Sequence, residues 1–131
     1  MKWQLVRSGQ WPSTGHEHTL SASAILVMPC TDPTQASQAA QLMANRAGVS
    51  DALLLAVIDE ERQGFIATAN SVFARTQSTY FGYVAQDAYP GRQWLQKALH
   101  TLEQTQKSLL GFNDGKWHGM LASFGLGRRT W

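Results

Sequence analysis

Residues 24–33 read Ala24-Ile25-Leu26-Val27-Met28-Pro29-Cys30-Thr31-Asp32-Pro33. The opening is a short continuous apolar run, the pattern of a strand buried on both faces. Thr31 or Asp32 can cap a helix, and Pro33 suits a first helical turn, so the strand feeds directly into a helix. Ala36, Ala39, Ala40, Met43 and Ala47 then recur at helical spacing. Gly48 closes that helix, where a left-handed cap favours glycine.

Two further strand–helix units follow. Ala52-Leu53-Leu54-Leu55-Ala56-Val57-Ile58 is a second buried run, with Asp59 and Glu60 at its carboxyl end. Phe65, Ala69, Val72, Phe73 and Thr76 mark one face of a second helix. Tyr80–Ala85 is the third run, and it ends in Gln86-Asp87-Ala88-Tyr89-Pro90-Gly91. Trp94, Leu95, Ala98, Leu99 and Leu102 line a third helix. Short strands at 108–112 and 120–124 close the chain, separated by the turn signal Asn113-Asp114-Gly115. No sequence repeat underlies the units; their spacing is that of a βα unit.

Alternation of doubly apolar strands with helices predicts an α/β fold, three-layer α/β/α with a mostly parallel, Rossmann-like sheet. One domain over residues 24–131 is expected. Residues 1–23 read as an N-terminal arm or lead-in, with room for a short strand at Leu5-Val6.

Composition limits the partners. The chain has 131 residues, 44% apolar and 15% charged, which suits one globular core. A formal charge of +2 gives no reason to expect nucleic acid or an anionic membrane. The first residues lack the apolar stretch of a signal peptide, and no run reaches the roughly 20 residues of a membrane span. The lone Cys30 excludes an intrachain disulfide. The chain therefore reads as cytoplasmic.

Ligands in open α/β sheets bind outside the carboxyl ends of the strands. Asp32, Asp59 and Asp87 all fall just past those ends, and hard carboxylate oxygens there could bind a divalent cation. Asp is also a common cap and turn former, and Asp32 stands where a cap is needed. The i, i+2 spacing of His16 and His18 would put both on one face of a strand, but with no third ligand nearby they read as part of a polar arm. Gly125-Leu126-Gly127 is a poor dinucleotide fingerprint, since too little chain follows it for the required helix. Arg128 and Arg129 read as a basic tail. Cys30, without a paired histidine, reads as a buried thiol.

Three stretches together resemble the GT-A glycosyltransferases, the nucleotide-diphospho-sugar transferase fold. Ile25–Asp32 is similar to the family's opening strand and its Pro-containing loop. Ala56-Val57-Ile58-Asp59-Glu60, followed by Gly64–Asn70, resembles the strand ending in Asp and the helix start beyond it. Tyr80–Pro90, with Trp94-Leu95, looks like the strand that carries the DxD motif and the helix after it. The resemblance spans residues 24–112. It implies that Pro29, Cys30, Thr31, Asp32, Asp59 and Asn70 bind a nucleotide. It also implies that Asp87 binds the Mg²⁺ or Mn²⁺ that bridges the diphosphate of a nucleotide sugar. Ala85 replaces the first Asp of the motif, and no catalytic base is identifiable before Trp131, as in a truncated or degenerate member.

Two alternatives stand beside this one. The chain could be a non-catalytic binding or structural module that keeps the fold, with an exposed edge or patch covered by a homodimer or partner chain. It could also be a receiver-like phospho-acceptor domain using Asp87. That reading wants an acidic pair after the first strand and a Lys near the last, where this chain has Asp32 alone and Arg128.

Overall fold

A computed structural model describes residues 1–10, 20–113, 115 and 124–130. In chain order the elements are β1 (Lys2–Arg7), β2 (Leu20–Ser21), β3 (Ala24–Cys30), α1 (Pro33–Arg46), β4 (Ala52–Ile58) and α2 (Phe65–Ala74). They continue with β5 (Thr76–Gln77), β6 (Tyr80–Tyr83), α3 (Trp94–Thr105), β7 (Leu109–Gly111) and β8 (Gly125–Arg128). The main sheet runs β1-β4-β3-β6-β8-β7, and β2 pairs with β5 in a small second sheet. β1, β4, β3 and β6 are parallel neighbours, and β8 runs antiparallel to both β6 and β7. The fold is thus α/β with a six-stranded, mostly parallel sheet.

The continuous apolar runs became the central strands because they have no solvent face. Every residue of β4 is buried, as is every residue of β3 except the half-buried Pro29. Alternation along a strand sends successive side chains to opposite faces. Ala24, Leu26, Met28 and Cys30 therefore join Leu54 and Ala56 in one core with α1 and α3. Ile25 and Val27 join Leu53, Leu55 and Val57 in another, with Val72 of α2.

Helix α1 begins as its sequence demands. Asp32 caps it by accepting from the Thr34 and Gln35 amides at 3.0 and 3.1 Å, with Pro33 in the first turn. After the helix, Gly48 takes a φ of +75°. A side chain there would be strained and would crowd Gln93 and Gln96 of the segment entering α3.

The N-terminal segment departs from the expected lead-in. Lys2–Arg7 is a full edge strand in register with β4, from Lys2 opposite Leu53 to Arg7 opposite Ile58. Lys2, Gln4 and Arg7 are exposed and Trp3 and Val6 half-buried, so no continuous apolar run announces the strand. Charged residues are how edge strands resist further pairing. The Met1 amino group donates to the Val49 carbonyl at 2.6 Å, and Arg7 pairs with Glu60 at 3.1 Å. Residues 11–19, with His16 and His18, lie outside the described residues.

Helix α2 is turned from its expected orientation. Thr68 and Val72 are buried, while Phe65 and Phe73 are 53% and 40% exposed. Apolar residues occur around most of this helix, so periodicity alone did not fix its rotation. Thr76 is buried as expected, but in β5 beyond the helix.

The closing strands are β7, inside the expected 108–112, and β8, which lies just beyond the expected 120–124. Residues 120–123 lie outside the described residues. Instead of a free basic tail, Arg128 and Arg129 are anchors. Arg128 donates to the Leu102 and Lys107 carbonyls at 3.1 and 3.2 Å, tying β8 to the end of α3. Arg129 donates to the Phe73 and Thr76 carbonyls and to the hydroxyls of Thr76 and Ser78, with its guanidinium 4.0 Å from the centre of the Phe73 ring. Desolvation among these groups lowers the Arg129 pKa. The GxG of β8 serves the sheet. A Cβ on Gly82 would stand 2.4 Å from the Gly125 carbonyl oxygen, so the β6–β8 pair closes only on a bare backbone.

Candidate functional site

The chain reverses its direction of travel across the sheet at β3. From β3 it passes through α1 to β4 on one side. From β4 it passes through α2 to β6 on the other side, then through α3 outward to β7 and β8. The loops leaving β3 and β4 therefore part to opposite faces, towards α1 and α2, while the loop leaving β6 joins the α1 face. Such a point in an open α/β sheet leaves a crevice beyond the carboxyl ends of the strands.

Pairing shows where the crevice opens. β3 and β6 are in register from Ala24 opposite Tyr80 to Val27 opposite Tyr83, and the Val84 amide still donates to the Val27 carbonyl at 3.0 Å. Past Val27 the ladder to β6 stops, whereas pairing with β4 continues until the Asp59 amide reaches the Cys30 carbonyl at 2.9 Å. Alternation turns the Pro29 nitrogen towards the β6 side. Its missing N–H falls where no partner strand remains, so a proline is tolerated in a central strand.

A cavity of about 300 Å³ fills this opening. Pro29, Cys30 and Thr31 form one wall, Asp59, Gly64 and Phe65 a second, and Ala85, Gln86 and Asp87 a third. Five of the residues singled out from the sequence thus meet there: Pro29, Cys30, Thr31, Asp59 and Asp87. Asp32 stands beside it as the cap of α1. Asn70 is not brought to it; it lines a separate groove of about 520 Å³ between α2 and the β6–β8–β7 face.

The carboxylates differ in what they already hold. Asp59 accepts from the Gln63 amide at 2.9 Å through one oxygen and from the Gly64 amide at 2.8 Å through the other. Both Asp32 and Asp59 thereby close the start of the chain segment that enters a helix. Asp87 is exposed, and among the described residues its carboxylate makes no hydrogen bond or ion pair. It also lines a second cavity of about 590 Å³, walled by Tyr89, Trp94, Phe112 and Phe124. Among the described residues, no three His, Cys, Asp or Glu side chains gather as a metal-binding group. The arrangement fits a cation that brings phosphate and water ligands with it and takes one carboxylate from the protein.

Cys30 is 3% exposed, and its pKa is pushed up to about 11 by burial and by the neighbouring Asp32 carboxylate. The thiolate is the reactive form, so this thiol is a wall and not a nucleophile.

Two residues of the crevice were not singled out as site residues in the sequence reading. Phe65, expected to face the core, stands at the mouth with its ring stacked on Tyr83 at 5.7 Å between centroids. The apolar excess of α2 was the available clue, since a helix with more apolar residues than one buried face needs exposes some of them. Gln86 had no clue at all; the two amides it accepts from lie more than fifty positions away.

Among the described residues, no helix is long and apolar enough to cross a membrane. No protein-family model matches the chain, and no curated protein matches it in sequence.

Proposed function

We propose that the crevice binds a nucleoside diphosphate, as part of a nucleotide sugar, together with Mg²⁺ or Mn²⁺ at Asp87. The single observation that carries this reading is the convergence of Pro29–Thr31, Asp59 and Asp87 on one cavity past the carboxyl ends of β3, β4 and β6. In this reading the architecture is a three-layer, Rossmann-like sheet of the GT-A kind, with α1 and α3 on one side and α2 on the other.

The hydrogen bonding around the crevice supports a cation-assisted mode. A helix start can hold phosphate through free backbone N–H groups. Here the amides of Thr34, Gln35, Gln63 and Gly64 are already taken by the carboxylates of Asp32 and Asp59. Those carboxylates would repel a bare diphosphate and suit the donor groups of a ribose or a base. Phe65 offers a ring face at the mouth for the base. A bound Mg²⁺ or Mn²⁺ would neutralise the charge that develops on the diphosphate when the bond to the sugar breaks. The aromatic cavity on the far side of Asp87 has room for the sugar.

Thermal unfolding with a panel of nucleoside diphosphates, each with Mn²⁺ and with chelator, tests this. A ligand at about a hundred times its dissociation constant stabilises by roughly 2.7 kcal/mol, which raises the melting temperature by several degrees. One nucleotide should give a Mn²⁺-dependent rise that Asp87→Ala abolishes without lowering the melting temperature of the free protein. No shift with any nucleotide would overturn the reading and favour a module without this ligand.

A further inference from the structure

The two loops that bound the crevice are joined by one side chain. The Gln86 Oε1 atom, at the start of the β6–α3 connection, accepts from the Thr31 amide at 3.2 Å and from the Asp32 amide at 3.3 Å. Thr31 and Asp32 belong to the β3–α1 connection. The bonds therefore span the gap where the β3–β6 ladder has ended, and a side chain does there what the backbone does between Val84 and Val27.

We infer that Gln86 is the positioning residue of the crevice, setting the distance between the Pro29–Asp32 wall and Asp87. This rests on the nucleotide reading above. Gln86 is adjacent to Asp87 in the chain, so the backbone that presents the metal-binding carboxylate is held by the same residue that grips the opposite wall. Among the described residues, no ion pair joins these two loops. With the staple, the pair of loops forms a fixed slot. Without it, the slot must be organised by the ligand, and binding bears the cost of ordering.

The acceptor oxygen is the functional part of the side chain. Gln86→Leu removes it at similar size and leaves the Thr31 and Asp32 amides without their partner. Gln86→Glu keeps an acceptor oxygen at the same reach. The experiment measures two things for the full chain and both variants: backbone amide exchange at Thr31 and Asp32 by NMR, and the dissociation constant of a nucleoside diphosphate with Mn²⁺. Gln86→Leu should speed exchange at both amides and weaken binding about tenfold, the equivalent of one shared hydrogen-bond acceptor. Gln86→Glu should keep both amides protected and bind more tightly than Gln86→Leu, which a merely destabilised loop would not do.

The outcomes separate cleanly. If exchange at Thr31 and Asp32 is unchanged in Gln86→Leu, the staple does not exist. If exchange rises and affinity does not fall, the staple exists but does not organise the site, and the inference fails alone. If the unmodified chain binds no nucleoside diphosphate at all, the nucleotide reading has failed and takes this inference with it.

Discussion

The two halves of the main sheet are built by different means. In the β1–β4–β3 half, β3 and β4 are buried on both faces, beneath α1 on one side and α2 on the other. In the β6–β8–β7 half, α3 packs on one face only. The other face exposes the groove between Phe73, Phe81 and the glycines of β7 and β8, with Leu109 61% exposed at its border. The first half is held by apolar area. The second buries Tyr80 and Leu126 on its α3 side and adds close backbone approach at Gly82 and Gly125 and the arginines that follow. The crevice lies on the seam, where one strand is fixed by burial and its neighbour by specific polar contacts. A site placed there has a rigid wall at Pro29–Thr31 and a wall at Gln86–Asp87 that depends on hydrogen bonds.

The strongest way to break this contrast is to cut the same side chain from each half. Leu54→Ala in β4 should cost about 2–5 kcal/mol, because a fully buried leucine leaves a cavity in a packed core. Leu109→Ala in β7 should stay within about 0.5 kcal/mol. Urea unfolding of both variants decides it, and equal losses would mean that Leu109 is packed as tightly as Leu54.

A smaller effect tests the arginine anchor. Arg129→Met keeps much of the contact with Phe73 and removes the donors to Phe73, Thr76 and Ser78. A loss of about 1–3 kcal/mol is expected, since the acceptors are left in a partly buried place. Arg129→Lys should recover little of it, because a single ammonium cannot reach several acceptors in one plane. Full recovery by lysine would reduce the anchor to a simple charge.

The smallest effect sharpens the account of the rigid wall. The Cys30 thiol ionises near pH 11 in the folded chain and lower in the unfolded one. The unfolded state therefore loses its proton first as pH rises. Stability from this group is intact below about pH 9 and is lost as pH climbs through the folded value. Cys30→Ala should flatten the fall in urea stability above about pH 9. Reaction of the native thiol with a disulfide reagent should stay slow at pH 8, and fast reaction there would mean that the Pro29–Thr31 wall opens.

Much of this fold was legible because burial on both faces writes itself as a continuous apolar run. β3 and β4 follow from residues 24–30 and 52–58 with almost no shift at their ends, and Asp32 and Gly48 mark the helix between them through local backbone chemistry. Edge and one-sided elements leave weaker traces. β1 was hidden by its exposed Lys2, Gln4 and Arg7, and β8 by two glycines and an arginine that serve neighbours distant in sequence. Asp59 and Asp87 could be placed at the rim, because strand ends are local features. Which of them remains unengaged could not be read, because the amides that occupy Asp59 depend on how the chain turns into α2.

Sequence by itself determined the alternation of strands and helices, the central pair of strands and the rank of carboxylates beyond their ends. These follow from hydrophobic period, caps and turn residues, all of which act over a few positions. Only the tertiary structure decided the strand order, the reversal at β3, the rotation of α2 that exposes Phe65 and the bridge from Gln86 to Thr31 and Asp32. Each of these is a choice among partners far apart in the chain, set by which packing buries the most apolar surface and leaves the fewest backbone groups unpaired.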